Sequence, residues 1–197
     1  MKYDEMTWGT MEAVVNKLGG MDGVQRFLRG ALKVVEAEAN AAFSTFQKIT
    51  LSVYDNVATL RKAIADSGNN ISDYGEDLLA KMSLVKEPVE LELVCVSVKD
   101  LGLKSGATIK QIYDRARKLG LDLCPAQVGP ELRLAYQDQP IGEWLLVAME
   151  QITDRNGHPS VFIVGCDVHG VRWLDGDYAY PSNTWSGLSR WVFVRRA

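Results

Sequence analysis

The segment that follows Pro88 is the sequence feature that most constrains the fold. Residues 89–93 alternate apolar and acidic side chains, and residues 94–98 are then apolar apart from Ser97. Strict alternation is typical of a strand with one wet face, whereas a continuous apolar run is typical of a strand covered on both faces. We therefore predict a strand over 89–98 that enters the centre of a sheet.

Helical patterns are concentrated before residue 120. Thr108 and Gln111 have the spacing of a reciprocal capping box, which predicts a helix over 108–119. Residues 31–47 are ambiguous, because their first part favours a strand and their second part favours a helix. Apolar residues at intervals of three and four, flanked by capping residues and glycines, predict further helices at 10–18, 22–29, 56–67 and 72–82.

Strand patterns dominate the second half of the chain. Turn sequences at 154–157 and 168–170 separate several of the apolar runs, which indicates an antiparallel β-meander. A further strand with one wet face is predicted at 48–53. The predicted strands of the second half are 131–136, 143–150, 160–166, 171–175 and 190–195.

These patterns predict the α+β class. We expect four to six helices, mainly in the N-terminal part, and a mixed or mainly antiparallel sheet with a C-terminal β-meander. A length of 197 residues suits one domain over 1–197, with possible subdomains at 1–86 (helix-rich) and 87–197 (sheet-rich).

Charge and hydropathy exclude some classes of partner. The net charge is −3 and no basic stripe is present, which argues against nucleic-acid binding. No window approaches the roughly 18 apolar residues that span a membrane. The first residues carry acids and lack the apolar core of a secretory signal, so we predict a cytoplasmic protein.

The three cysteines point away from a disulfide framework. Cys95, Cys124 and Cys166 are odd in number and form no C-x-x-C pair, so neither paired disulfides nor a structural zinc site is expected. Cys95 and Cys166 lie in apolar runs typical of buried thiols. Cys124 remains open between an inert thiol and a nucleophile that needs a nearby base.

Sequence signatures of the common catalytic sites are absent. The chain has no phosphate-binding glycine loop, no dinucleotide fingerprint, no H-E-x-x-H and no G-x-S-x-G. The two histidines lie in turns without neighbouring ligand pairs, so we predict neither a metal nor a cofactor. Three acids, Glu131, Asp138 and Glu143, lie close together in the sequence and leave acid–base chemistry as an alternative.

Aromatic residues are unusually dense near the C-terminus, with five tyrosines and tryptophans between 173 and 191. Such density fills a core or lines a concave site. Alternation along 171–175 puts an indole and a carboxylate on one face, and the loop 181–187 can cover a site on a rigid scaffold. An arginine among aromatic rings can anchor an anionic or planar group. We predict one pocket lined by Trp173, Asp175, Tyr178 and Trp185, with Arg133 as a charged partner; the rival interpretation is a buried cluster that closes the end of the sheet.

Several segments within residues 88–197 carry a family resemblance. They are Leu123-Cys124-Pro125-Ala126, Val128-Gly129-Pro130, Leu132-Arg133-Leu134, Tyr136, Gly142-Glu143-Trp144-Leu145, Asp175 and Arg190-Trp191-Val192-Phe193. Through these residues the chain resembles an uncharacterised family of bacterial proteins from environmental and mobile-element-rich genomes. That family implies no known activity, so no catalytic residue is transferred.

Two main hypotheses about function follow. The first is a non-catalytic module that binds a small molecule or a partner protein through its C-terminal aromatic region. The alternative is a hydrolase or nuclease that uses a dispersed acidic cluster. A third hypothesis, a regulatory protein acting through its N-terminal helix pair, requires a basic exposed face on residues 22–30.

Overall fold

The computed structural model describes residues 7–31 and 43–196. These residues contain six helices and eleven strands, and the chain divides into two units, Met1–Ala39 and Asn40–Ala197. The helices are α1 (Trp8–Lys17), α2 (Gly20–Leu28), α3 (Val57–Asp66), α4 (Asp73–Lys81), α5 (Ile109–Lys118) and α6 (Val128–Ala135). The strands are β1 (Gln47–Leu51), β2 (Asn70–Ile71), β3 (Val89–Ser97), β4 (Ala107–Thr108), β5 (Leu121–Asp122), β6 (Trp144–Val147), β7 (Ile152–Thr153), β8 (Pro159–Cys166), β9 (Arg172–Tyr178), β10 (Thr184–Trp185) and β11 (Arg190–Arg195).

In the first unit, α1 and α2 form a helical hairpin. The side chain of Thr7 caps α1 by accepting a hydrogen bond from the backbone of Thr10 at 3.2 Å. Gly19 and Gly20 make the turn with φ angles of 86° and 81°, a conformation that glycine adopts without steric cost. Gly23 is the only buried residue in the two helices, so this hairpin presents nearly all of its side chains to solvent.

The second unit is built on a nine-stranded mixed sheet. Its main path runs β1-β3-β11-β6-β8-β9-β2, with β5 added beside β11 and β7 beside β8. Neighbours are antiparallel except for β11 with β6 and β2 with β9. The predicted α+β class is therefore confirmed, and β6, β8 and β9 form the antiparallel meander.

The predicted strand over 89–98 is present as β3 and lies second from the edge of the sheet. Its far half is covered as expected, since Leu93, Val94, Val96 and Ser97 are all buried. The final strand departs from a simple meander. β11 lies between β3 and β6, pairing antiparallel with the first and parallel with the second.

Helices cover both faces of the sheet. Trp191, Leu146 and Ile163 are register neighbours and share a face, so Phe162 points to the opposite one. On the Trp191 face, Tyr113 of α5 packs edge-on against Trp191 with ring centroids 5.8 Å apart. On the other face, α6 approaches so closely that a Cβ on Gly129 would lie 2.6 Å from the ring of Phe162.

The capping box predicted for α5 is also present. The Thr108 side chain accepts from the backbone of Gln111, and the Gln111 side chain accepts from the backbone of Thr108 at 2.9 Å. Both bonds satisfy donors that a helix start leaves free. The local sequence therefore determines where α5 begins.

The strand predicted at 131–136 is wrong, because residues 128–135 form α6. Pro130 lies in the first turn, where a helix tolerates proline. The side chains from Val128 to Arg133 are all buried, including Glu131. A helix that is enclosed on every side has no 3.6-residue apolar period, and here its leucines alternate with polar residues as they would in a strand.

Two further predictions concern residues 31–47 and the loop at 181–187. Most of the ambiguous segment 31–47 lies outside the described residues, although Gln47 begins β1. The loop predicted at 181–187 contains β10, which pairs with β4 in a separate two-stranded sheet.

Replacing Gly129 by alanine tests the close contact between α6 and β8. We expect Gly129→Ala to lower the free energy of unfolding by about 1–3 kcal/mol, because the new methyl group overlaps Phe162. Urea denaturation measures the loss. The double variant Gly129→Ala/Phe162→Leu should lose less than the sum of the single variants. A neutral Gly129→Ala variant would contradict this packing.

Candidate functional site

The three predicted site residues on β9 lie on two faces of the sheet. Trp173 and Asp175 pair with Gly165 and Ile163, whereas Tyr178 pairs with Ser160 and points the other way. The indole N–H of Trp173 donates to Asp167 at 3.2 Å. The shared face predicted for the indole and the carboxylate is present, but Tyr178 is not beside them.

Trp185 belongs to a different group of rings. It packs edge-on against Trp191 with centroids 5.0 Å apart, and Trp191 in turn packs against Tyr113. Trp191 is three strands away from β9 in the sheet, which places it about 14 Å from that strand. Trp185 and Trp173 therefore belong to separate clusters.

Arg133 is fully buried and holds a loop to the sheet. Its guanidinium donates to Gln139 at 2.6 Å, to the carbonyl of Gly165 at 3.0 Å and to the carbonyl of Tyr136. Burial, together with the nearby charge of Arg172, lowers the pKa of Arg133 to about 10, so it stays charged at neutral pH. These donors are engaged within the protein.

A concave site lies beside α5 on the Trp191 face, and we call it the α5 cleft. It has a volume of about 350 Å³, at the lower end of the range for small-molecule sites. One wall comes from the helix and the other from residues 149–151 and Pro181, the first residue of the predicted covering loop. The lining residues are Ile109, Lys110, Tyr113, Asp114, Arg117, Met149, Glu150, Gln151 and Pro181.

Tyr113 is the rigid part of the cleft. Its hydroxyl donates to the carbonyl of Met149 at 3.0 Å and accepts from the backbone N–H of the same residue at 3.2 Å. Burial raises the pKa of the Tyr113 phenol, so the hydroxyl remains a donor throughout the physiological pH range. The ring is also fixed from behind by Trp191, which connects the cleft to the predicted aromatic region through Trp185.

The rim of the cleft carries charges of both signs. Lys110 lies 2.6 Å from Asp114, and Arg117 lies 3.6 Å from the same carboxylate. The hydrogen bond from Lys110 lowers the pKa of Asp114 below its ordinary value, so this acid is ionised at neutral pH. Glu150 is exposed on the opposite wall. The cleft therefore offers two cations, two anions and an apolar floor.

A second cavity, of about 390 Å³, lies over β1 and β3. It is lined by residues of two adjacent strands, including Lys48, Glu90 and Glu92, without a contribution from a helix or a loop. Glu92 is paired with Arg195 at 2.5 Å. This surface is a stretch of open sheet, and we prefer the α5 cleft because three chain segments enclose it.

Two of the three acids considered for catalysis hold the fold together. Glu131 accepts hydrogen bonds from the backbone of Ser52 at 2.7 Å and from Gln127 at 3.2 Å. Glu143 is paired with Arg190. Neither of the two cavities is lined by Glu131, Asp138 or Glu143.

Tyr178 belongs to a group of rings at the end of the sheet, together with Tyr74, His158 and Tyr180. The Tyr180 hydroxyl lies 2.8 Å from Nδ1 of His158, and a hydrogen bond with Tyr74 is the main factor that raises the pKa of Tyr178 to about 12. Neighbouring centroids are 5.0–6.0 Å apart, so the rings pack on one another. No sequence pattern indicates that Tyr74, from α4, joins them.

The turn at 154–157 has the predicted form and positions His158. Asp154 is buried, and one of its carboxylate oxygens accepts from the backbone N–H groups of Asn156 and His158, each at 2.8 Å. This arrangement is an Asx turn extended by one further bond. It holds the histidine ring against the tyrosines.

The described residues contain neither a cluster of metal ligands nor a membrane-spanning helix. Residues 7–31 and 43–196 bring together no three His, Cys, Asp or Glu side chains at a spacing that would hold a metal ion. In the same residues, no helix combines the length and the apolar character needed to cross a bilayer.

Replacing Arg133 by methionine tests its role in the loop. The change leaves two carbonyl groups and the Gln139 side chain without their donor, and each buried unpaired group costs about 1–3 kcal/mol. We expect Arg133→Met to lower the free energy of unfolding by at least about 3 kcal/mol, measured by urea denaturation. The control Arg117→Met, at an exposed position, should change it by less than about 0.5 kcal/mol. Equal small effects would contradict the assignment.

Thiol reactivity tests the interpretation of the cysteines. Cys124 and Cys166 are buried, and Cys95 is half-buried. Burial raises the pKa of Cys124 and raises that of Cys95 to about 11, so both thiols stay protonated at pH 8. We expect slow labelling of the native protein by a thiol reagent, with Cys95 modified before Cys124, and rapid labelling in urea. Mass spectrometry locates the adducts. Rapid labelling of Cys124 in the native protein would instead support the interpretation of this thiol as a nucleophile.

Comparison with known proteins provides no functional assignment for this chain. No protein-family model, curated protein or solved structure matches this chain. The family resemblance over residues 88–197 therefore stays a prediction, and the α5 cleft is the feature from which a function can be argued.

Proposed function

We propose that this protein is a binding module that takes a small zwitterionic molecule, of the size of an amino acid or a short peptide, into the α5 cleft. The observation that carries the proposal is the combination of an apolar floor with charges of both signs on the rim. Binding sites are typically apolar with a few placed polar groups that orient the ligand.

The positions of the rim charges indicate how such a ligand is oriented in the cleft. Arg117 provides a planar group that suits a carboxylate, and Lys110 adds a second cation at the same helix. Glu150, on the opposite wall, faces an ammonium group at the other end of the ligand. The middle of the ligand then lies against Pro181 and the accessible edge of Tyr113.

The rigidity of the floor supports binding without rearrangement. Tyr113 is held by two hydrogen bonds and by the edge of Trp191, so little ordering is needed when a ligand arrives. Pre-organisation of this kind leaves more of the interaction free energy available for affinity. We do not propose a hydrolase or nuclease, because Glu131 and Glu143 are already bonded inside the fold.

A thermal-shift screen tests the proposal. The probes are the free amino acids and a set of dipeptides, each matched with its N-acetylated and its amidated form. We expect one or more zwitterions to raise the melting temperature, with about 2.7 kcal/mol of stabilisation at a ligand concentration of 100 Kd. The blocked forms should stabilise less, since each lacks one charge.

Two rim variants locate the effect. Glu150→Gln should weaken binding of the ammonium group and Arg117→Gln that of the carboxylate, each by about tenfold or more. The matched control is Glu87→Gln, at an exposed acid outside the cleft. The proposal fails if no zwitterion stabilises the protein, or if both rim variants keep the full shift.

A further inference from the structure

Asn156 is followed directly by glycine, and none of the other asparagines in the sequence has glycine as its next residue. Glycine has no Cβ, so its backbone nitrogen can approach the side chain of the residue before it. That approach is the first step of succinimide formation, a reaction of the peptide backbone that needs no enzyme. Asn156 and Gly157 lie at the tip of the turn between β7 and β8, and both are exposed to solvent.

The side-chain amide of Asn156 makes no hydrogen bond with the described residues. Three other asparagine side chains are engaged. Asn56 accepts from a backbone N–H at 3.0 Å, Asn69 accepts from an arginine at 3.0 Å, and Asn183 donates to a backbone carbonyl at 3.2 Å. The amide of Asn156 is therefore free to turn towards the residue that follows it.

The backbone of the turn is held on both sides of the peptide group that joins Asn156 to Gly157. One carboxylate oxygen of Asp154 accepts from the N–H groups of Asn156 and His158, each at 2.8 Å. The N–H of Gly157, in contrast, donates to the carbonyl of Asp154 at 3.3 Å, which is long for such a bond. Within the described residues, only chain neighbours lie within 4 Å of the point that a Cβ on Gly157 would occupy. This peptide group can therefore rotate, since glycine takes up the change in φ, and bring its nitrogen to the Asn156 side chain.

We propose that Asn156 is a site of spontaneous deamidation. The backbone nitrogen of Gly157 forms a bond to the side-chain carbonyl carbon of Asn156 and loses its proton, and the side-chain nitrogen leaves as ammonia. Water then opens the succinimide ring at either of its carbonyl groups, which gives aspartate or isoaspartate. The reaction is a hydrolysis without any change of oxidation state, and it replaces a neutral amide by a carboxylate.

The isoaspartate product alters the position of His158. It lengthens the main chain by a methylene group between residues 156 and 157, so the two N–H groups that Asp154 holds move apart. Asp154 is buried, and its other oxygen has no partner in the described part of the chain. A further loss of hydrogen bonds at a buried carboxylate destabilises the fold. The ring of His158 then leaves the place in which its Nδ1 lies 2.8 Å from the Tyr180 hydroxyl.

Peptide mapping by mass spectrometry tests the reaction. The native full chain is kept in a mildly alkaline buffer, and the conversion of each asparagine to an acid is followed with time. We expect Asn156 to convert while Asn183 stays an amide, because Asn183 is also exposed but is hydrogen-bonded and precedes a β-branched residue. Labelling with an isoaspartyl methyltransferase distinguishes isoaspartate from aspartate. Survival of the Asn156 amide for as long as that of Asn183 overturns the proposal.

Asn156→Gln is the matched variant, because glutamine keeps the neutral amide but closes a ring far more slowly. After the same incubation, the wild type should show a lower urea midpoint and shifted NMR signals from the His158 ring, and the variant should show neither. His169, the second histidine of the chain, lies in another turn and is the internal control. A modified wild type that matches the variant in both measurements overturns the effect on His158.

A second variant separates the new charge from the longer backbone. Asn156→Asp carries the carboxylate without the extra methylene group, so it should keep the urea midpoint and the His158 signals of the unmodified protein. If this variant already reproduces the changes seen after incubation, the role assigned to isoaspartate is wrong. The turn contributes no residue to the α5 cleft, so its modification is independent of ligand binding there.

Discussion

The buried guanidinium of Arg133 is the interaction on which the centre of this fold depends. It connects the end of α6 and the loop that follows to the last residues of β8, 32 residues further along the chain. A charge in an apolar interior is costly unless it is hydrogen-bonded. The two terminal nitrogens of Arg133 make these bonds, whereas its Nε is buried without a hydrogen-bond partner among the described residues. Gln139 completes the network by donating to the carbonyls of Val164 and Glu143, at 3.0 and 3.2 Å. The loop is thus held by polar contacts inside a core that is packed mainly by apolar side chains.

Local sequence determined some elements and tertiary contacts determined others. The start of α5 was predictable because Thr108 and Gln111 satisfy each other's backbone groups within four residues. α6 was not, because its polar residues are buried by partners far away in the chain. Glu131 is bonded to Ser52, and Arg133 to Gly165, so their burial appears only once the sheet exists. A pattern of apolar and polar residues cannot carry that information.

The residues of the candidate site were likewise predictable from the sequence only in part. The density of rings near the C-terminus did not indicate which rings pack together, since Trp185 contacts Trp191 whereas Tyr178 contacts Tyr180. The 181–187 loop supplies Pro181 to the cleft. The helix wall was missed, because Lys110, Asp114 and Arg117 had the ordinary appearance of a solvated helix face. These residues form one side of a cleft because Met149 and its neighbours face them from the other side. The order of the strands in the sheet brings those neighbours there.

The position of β11 has a consequence for how the protein is made. In the main sheet, β1 and β3 lie on one side of β11, and β6, β8, β9 and β2 lie on the other. During synthesis, residues 190–195 emerge after all of these strands. Until then, the edges of β3 and β6 that will flank β11 have no partner strand. Contacts between such distant segments form slowly, and exposed edges invite association with other chains. The two parts of the main sheet can therefore join only once residues 190–195 have been synthesised.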